Sequence, residues 1–322
     1  MSVAFVTGIT GQDGGYLAEQ LTAEGVEVHG LVHSADGSRA DLFGRTPSVA
    51  LHEGDLGDPS ALADLVAQIA PDEIYNLGGL SSVAHSWEQP LLTAQVNGLG
   101  AAGLLEAAWQ LRERTGREVR VVQASSAEIF GLPQESPQNE QTPIRPASPY
   151  GAAKAFAHTL NAVYRSRGLH AVSCVLYNHE SPRRPVQFVT RKITRAAAAI
   201  ALGRQDVLSL GNLDARRDWG WAPEYVAAMV LAARHHSPDD YVIATGRSHS
   251  VGEFVAAAFA RAGIEDWQRH VTIDDRFVRP VDATELVGDP RRAFETFGWR
   301  PQVSFEELVG RMVDHDLGEG SA

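Results

Sequence analysis

Two pairs of side chains able to move protons stand near one another in the chain. In SPYGAAK (148–154), Tyr150 and Lys154 are four residues apart at the start of a helical pattern, which sets both on one face. A phenol titrating at about 10 is a poor base at neutral pH, and an ammonium beside it favours the phenolate. Such a pair takes a proton from a hydroxyl while hydride leaves the same carbon. The second pair is Ser126 and Glu128 in QASSAEIF (123–130), with Ser126 twenty-four residues ahead of Tyr150. The hydroxyl completes a proton-transfer set, but oxidation of a simple alcohol has no use for the carboxylate. Oxidising a sugar hydroxyl to a ketone acidifies the neighbouring C–H, and a carboxylate within reach of it starts an elimination. The plainer reading of Ser125–Glu128 is a turn capped by serine, with the glutamate exposed.

The elements that hold these residues follow from periodicity. Apolar runs at Val3–Val6, Val26–Val32, Glu73–Leu77, Val119–Ala124 and Ala171–Tyr177 read as strands. Gly14–Glu24, Ser60–Ile69, Gly98–Arg112 and Ala152–Ser166 read as helices between them. This alternation predicts an α/β fold, a doubly wound parallel sheet covered on both faces. After about Asn178 the rhythm loosens, and Arg and Pro become frequent. Residues 1–178 therefore read as the main domain and 179–322 as a smaller mixed C-terminal substrate lobe. A return to the main sheet is expected within about 212–245, with a strand at Tyr241–Ala244.

VTGITGQDGGYL (6–17) places Gly8, Gly11 and Gly14 between the first strand and the first helix. Glycines there let the backbone turn tightly and approach a pyrophosphate seated on the helix N-terminus, as in Rossmann-like nucleotide sites. With the Tyr-Lys pair, this makes a nicotinamide dinucleotide the expected hydride acceptor. The loop after the second strand carries Asp36 and Arg39 and leans toward NADP, with NAD as the alternative.

Composition narrows the function classes. The net charge of −12 argues against a nucleic-acid partner, because phosphate binding needs a basic field. A single cysteine, Cys174, excludes an intramolecular disulfide framework and reads as a core hydrophobe in a reducing compartment. No apolar run approaches the roughly 20 residues of a membrane span, and Met1-Ser2 leads straight into a strand, so the expected location is the cytoplasm. His235-His236 reads as solvated, and no metal site is expected.

Longer motifs carry a family resemblance over nearly the whole chain. TGITGQDGGYL, QASSAEIFG, SPYGAAK, NHESPRR (178–184), FVTRKITRA (188–196), LGNLDARRDWG (210–220) and GDPRRAFETFGWRP (288–301) resemble the GDP-mannose 4,6-dehydratases. These are a nucleotide-sugar branch of the extended short-chain dehydrogenase/reductase family. The resemblance implies Ser126, Glu128, Tyr150 and Lys154 as catalytic residues. It implies cofactor contacts from Gly8, Thr10, Gly11, Gln12, Asp13, Gly14, Arg39, Asp55, Leu56, Leu77, Gly78, Gly79, Ser81, His179 and Arg184, besides Tyr150 and Lys154. On the nucleotide-sugar side it implies Ser82, Asn178, Lys192, Gly211, Asn212, Arg217 and Arg279. A diphosphate calls for such cationic donors, though each basic residue taken alone fits a surface charge equally well. A homodimer is implied, with a tetramer as the alternative; the Ala-rich helices Gly98–Arg112 and Ala152–Ser166 are its candidate contact.

The chain departs from the family pattern at Ser126, where threonine is usual, and at Ile129-Phe130, where Leu-Tyr is usual. Gly78-Gly79-Leu80-Ser81-Ser82-Val83 replaces A-A-Q-S-H-V, and His33-Ser34 replaces an arginine pair. The implied activity is conversion of GDP-mannose, or a close GDP-hexose, to the 4-keto-6-deoxy sugar. The departures keep open a GDP-sugar epimerase or a dehydratase with another product. A cofactor-binding protein without turnover is a rival from a different class.

Overall fold

A computed structural model of the chain describes residues 2–33, 42, 44–277 and 283–320. Its strands are β1 (Val3–Thr7), β2 (Glu27–Val32), β3 (Ala50–Glu53), β4 (Glu73–Asn76), β5 (Arg120–Ser126), β6 (His170–Leu176) and β7 (Asn178–Glu180). After these come β8 (Leu208–Leu210), β9 (Arg216–Arg217), β10 (Trp219–Trp221), β11 (Asp240–Ile243), β12 (His249–Ser250), β13 (Val271–Ile273) and β14 (Glu285–Leu286). Seven of them form one sheet in the order β11-β6-β5-β4-β1-β2-β3, with every pairing parallel. The order reverses between β1 and β4, so their carboxyl ends open the crevice where doubly wound sheets take ligands.

Side-chain alternation along the strands supplies both faces. Phe5, Ile74, Val121 and Ala171 stand in register on one face and belong to one buried cluster. Val6, Tyr75, Val122 and Val172, one position on, belong to the cluster on the other face. The first face is covered by α2 (Pro59–Ile69), α5 (Gly100–Thr115) and α6 (Pro149–Ser166), the second by α1 (Gln12–Ala23) and α8 (Ala222–Arg234). Burying one such side chain contributes about 2 kcal/mol, which sets strand order and register together. Cys174 lies in this core, where burial pushes its thiol up.

Between α2 and α5, beyond β4, the chain runs through α3 (Val83–Glu88), α4 (Pro90–Thr93) and one π-helical stretch, Ala94–Leu99. The expected helix Gly98–Arg112 is therefore the tail of a longer, interrupted run. Beyond β6, α7 (Val189–Ala201), α9 (Val251–Arg261) and α11 (Phe305–Gly320) enclose a separate cluster that includes Ile193, Phe254, Phe259, Leu308 and Met312. A buried Arg191–Asp316 ion pair ties α7 to α11. The short helix α10 (Arg291–Phe297) packs near β11, the strand that returns to the main sheet where the sequence placed it. Strand β3 was not anticipated: its ALHE is four residues long, incompletely buried, and carries little apolar signal. No helix among the described residues is long and apolar enough to cross a membrane.

Candidate active site

Ser148 caps α6 by accepting the Gly151 N–H at 3.0 Å, and Pro149 opens the first turn. The helix thus begins three residues ahead of the expected Ala152, and Tyr150 enters in its first turn. The Tyr150 N–H has no helical acceptor and donates to Ser86 Oγ of α3 at 3.2 Å. A Cβ on Gly151 would lie 2.5 Å from the Glu128 carbonyl, so glycine lets α6 butt against the end of β5. There the chain leaves β5 at Ser126 and makes one 3₁₀ turn, Ala127–Ile129. Ser126 Oγ accepts the Glu128 N–H at 3.3 Å and also hydrogen-bonds the Tyr150 phenol. The serine is therefore both the cap of the plainer reading and a partner of the tyrosine. Glu128 is half-buried and lines a cleft with Ser148, Arg217, Val83 and Leu286.

Lys154 lies one turn beyond Tyr150, its Nζ 5.9 Å from the ring centroid. Its ammonium is buried and donates to the Ala124 carbonyl at 2.9 Å. Burial pushes the Tyr150 phenol up to about 12, a shift that the Ser126 hydrogen bond opposes. The expectation that lysine would hold the phenol down is corrected here: burial dominates, and the groups that oppose it are Ser126 and Arg184. Burial likewise pulls the Lys154 ammonium down to about 8, against the opposing pull of the Asp13 carboxylate.

Lysine in an unfolded chain titrates at about 10.4, so between about 8 and 10 the unfolded state binds more protons than the fold. The stability of wild type relative to Lys154→Met should therefore rise with pH across that window, by on the order of 3 kcal/mol in full. Thermal denaturation of both proteins at stepped pH checks this; a flat or falling difference would overturn it.

The glycine-rich loop packs its backbone tightly on itself and against the end of β4. Gly8 takes φ +67°, and a Cβ there would lie 2.8 Å from Gly78 Cα at the end of β4. A Cβ on Gly14 would meet the Gly8 carbonyl at 2.2 Å, and the Gly11 N–H donates to that carbonyl at 3.0 Å. Thr10 is half-buried in the same turn. Gln12 and Asp13 reach across the crevice to β7. Gln12 donates to the His179 carbonyl at 3.1 Å and accepts from Ser181 Oγ at 2.8 Å. His179 Nδ1 lies 2.7 Å from the Tyr177 carbonyl and Nε2 lies 2.8 Å from Asp13 Oδ2. Burial disfavours both charges of this pair, but the pair's own attraction prevails: the Asp13 carboxyl is held below its usual range and the imidazole above its own. Tyr225 of α8 stacks on the His179 ring. Arg184 sits beside this group, paired with Glu180 and lying on the Phe188 ring.

The remaining predicted residues fall into two neighbourhoods. On the cofactor side, Asp55 folds an Asx turn by accepting the Gly57 N–H at 2.8 Å, and Leu56 packs where a Cβ on Gly78 would strike it. Leu77, Gly78, Gly79 and Ser81 form the loop after β4. Asn97, in the π-helical stretch, brackets this loop by bonding both the N–H and the carbonyl of Leu80. Ser82 accepts the His85 N–H at 3.1 Å and so caps α3.

On the other side, Asn178 pairs with Trp219, and Lys192 donates to the Ser209 carbonyl at 2.6 Å with its ammonium over Phe277. Gly211 precedes Asn212, which turns the chain by accepting the Asp214 N–H at 2.9 Å. Arg217 bonds the Ala283 carbonyl at 2.9 Å. Arg39 and Arg279 lie outside the described residues. Ser86, Asn97, Ser181 and Tyr225 were not anticipated. Buried Ser and Asn inside helical stretches were the available signal for the first two. His315, Asp316 and Glu319 bring ligand-type atoms within 4.8 Å of one another, and the Arg191–Asp316 and His315–Glu319 ion pairs account for the grouping.

Comparison with known proteins agrees with this geometry. The GDP-mannose 4,6 dehydratase family profile matches residues 5–312. GDP-mannose 4,6 dehydratase 1 of Arabidopsis thaliana is 46% identical over 98% of this chain and 90% of its own length. Among solved structures, the UDP-glucose 4-epimerase of Thermus thermophilus in complex with NAD superposes with a TM-score of 0.84 at 30% identity, covering 98% of this chain and 99% of the other. RMD of Pseudomonas aeruginosa complexed with NADPH shares the fold, with a TM-score of 0.79 at 23% identity over 99% of this chain and all of the other. A family-wide match, a relative at nearly half identity and a crevice carrying the Tyr-Lys pair beside a serine and a carboxylate together place the chain: it belongs to the GDP-mannose 4,6-dehydratase family.

Proposed function

We propose that the protein converts GDP-mannose, or a close GDP-hexose, to its 4-keto-6-deoxy form. The observation that carries this reading is Glu128: a carboxylate one turn from the Ser126–Tyr150 contact, lining the same cleft as Arg217. Once Tyr150 has released its own phenolic proton to solvent, which the Lys154 ammonium alongside favours, the phenolate receives the O4 proton as C4 becomes a ketone. Glu128 then removes the acidified C5 proton, and Ser126 with Glu128 passes it to the C6 hydroxyl, which departs as water. The proton held by Tyr150 is returned at C5 as hydride comes back to C6. A bound nicotinamide dinucleotide supplies the hydride acceptor at C4 and the donor at C6. The close approach of Gly8 to Gly78, which leaves no room for side chains, suits such a group. Residues 1–178 would hold it, while Asn178, Lys192, Asn212 and Arg217, in or next to 179–322, would face the GDP-sugar.

Because hydride leaves and returns, the expected result with purified protein and GDP-mannose is a 4-keto-6-deoxy product with no net change in NADPH. Failure to convert any GDP-hexose would sink the reading. NADP is the proposed cofactor and NAD its alternative, and mass spectrometry of co-purifying ligand separates them. Exposed Leu91, Leu99, Phe156 and Val163 on α4 to α6 support a homodimer over these helices, with a tetramer as the alternative; light scattering distinguishes the two.

One observation favours a second reading. Ser82 is engaged as a helix cap where the family pattern has an imidazole near the sugar. A different product from the same 4-keto intermediate would follow. Product NMR in heavy water decides: C5 deuterium with the C6 hydroxyl retained means epimerisation.

A further inference from the structure

The sheet face under α6 ends in a polar row. One step beyond Phe5, Ile74 and Val121 on that face come Thr7, Asn76 and Gln123, paired in register on β1, β4 and β5. All three are essentially buried. Buried amides are costly unless bonded at both ends, and these are. The Gly78 N–H donates to Thr7 Oγ1 at 2.9 Å, and the Thr7 hydroxyl donates to Asn76 Oδ1 at 2.7 Å. Asn76 Nδ2 donates to Gln123 Oε1 at 2.8 Å, and Gln123 Nε2 donates to the Ala124 carbonyl at 3.1 Å. That carbonyl also accepts from Lys154 Nζ.

The end of the row fixes its sense. A carbonyl only accepts, so Gln123 must present its NH₂ to Ala124 and its oxygen to Asn76. Asn76 must then turn its NH₂ to Gln123 and its oxygen to Thr7. Every donor points from the loop after β4 toward the anchor of Lys154, an arrangement in which each bond polarises the next.

We propose that Gln123 is a positioning residue for Lys154: it pins the carbonyl that anchors the ammonium, and through Asn76 and Thr7 it couples that anchor to the Gly78 loop at the crevice. This rests on the reading of Lys154 as the lysine of the oxidation pair. The Gln123 N–H also sets a partial positive charge beside the ammonium, so losing it eases protonation of Lys154.

The test uses the full-length protein with Gln123→Met, which keeps the volume, and Thr7→Val, which breaks the far end of the row, with Thr7→Ser restoring the hydroxyl. Two pH titrations are read: kcat on GDP-mannose, and NADPH binding followed by nicotinamide fluorescence. The expected result for Gln123→Met is a kcat loss of about tenfold with KM little changed. The lysine midpoint in both titrations should move up by about half a unit to one unit. Thr7→Val should move it the same way by less, and Thr7→Ser should restore it. Midpoints that stay put in soluble Gln123→Met or Thr7→Val, whatever the melting temperature does, would overturn the proposal. If wild type turns over no GDP-hexose, the reaction assignment fails by itself, and the NADPH titration still decides the role of Gln123. Should Gln123→Met not fold, the midpoints of Thr7→Val and Thr7→Ser decide between the two outcomes.

Discussion

Glu128→Gln is expected to stop the reaction between its halves. The amide keeps the size of the side chain but cannot take the C5 proton, while Tyr150 and Lys154 remain. Loss of a positioned base costs about 10² to 10⁴ in rate. Because the ketone at C4 still forms, hydride stays on the cofactor, and the near-ultraviolet absorbance of reduced nicotinamide should rise toward one equivalent per site when GDP-mannose is added. Dehydrated product formed at close to the wild-type rate would remove Glu128 from the elimination. A variant that binds cofactor and substrate yet shows no absorbance would move it into the oxidation step.

Tyr150→Phe should give the opposite signature. The ring remains to fill its buried place, and the phenol that Ser126 bonds is gone. Turnover should fall by about 10³ or more with no reduced nicotinamide appearing, while cofactor affinity holds within a few-fold. The comparison is informative because both variants lose the product for different reasons. If Tyr150→Phe also accumulated reduced cofactor, the assignment of oxidation to the Tyr-Lys pair would fail. Complete loss of cofactor binding would instead make the tyrosine a structural support of the crevice.

Much of this site was legible because its chemistry is concentrated in short motifs. The Gly8–Gly14 loop, the Tyr150–Lys154 spacing and the Ser126–Glu128 pair each need only local geometry, and periodicity places them on the right strand ends and helix. Contacts between motifs were not legible. Nothing near Asp13 says that its partner is His179, which the chain reaches 166 residues later. The state of Tyr150 was misjudged for a related reason: spacing shows the lysine, but burial is a property of the folded core. Strand β3 and helix α3 escaped because short elements with few apolar residues leave almost no periodic signal.

The bonds from Gln12 and Asp13 to His179 and Ser181 bear on modularity. Residues 1–178 look in sequence like a portable cofactor unit, but a cut at that point removes the partners that shape its first loop. The same cut takes away β11, leaving β6 as a bare edge. A chimera that grafts this half onto another substrate lobe must carry the Asn-His-Glu-Ser segment and the returning strand with it. The working boundary between the two halves is therefore a seam stitched through several stretches of chain, with no single place to cut.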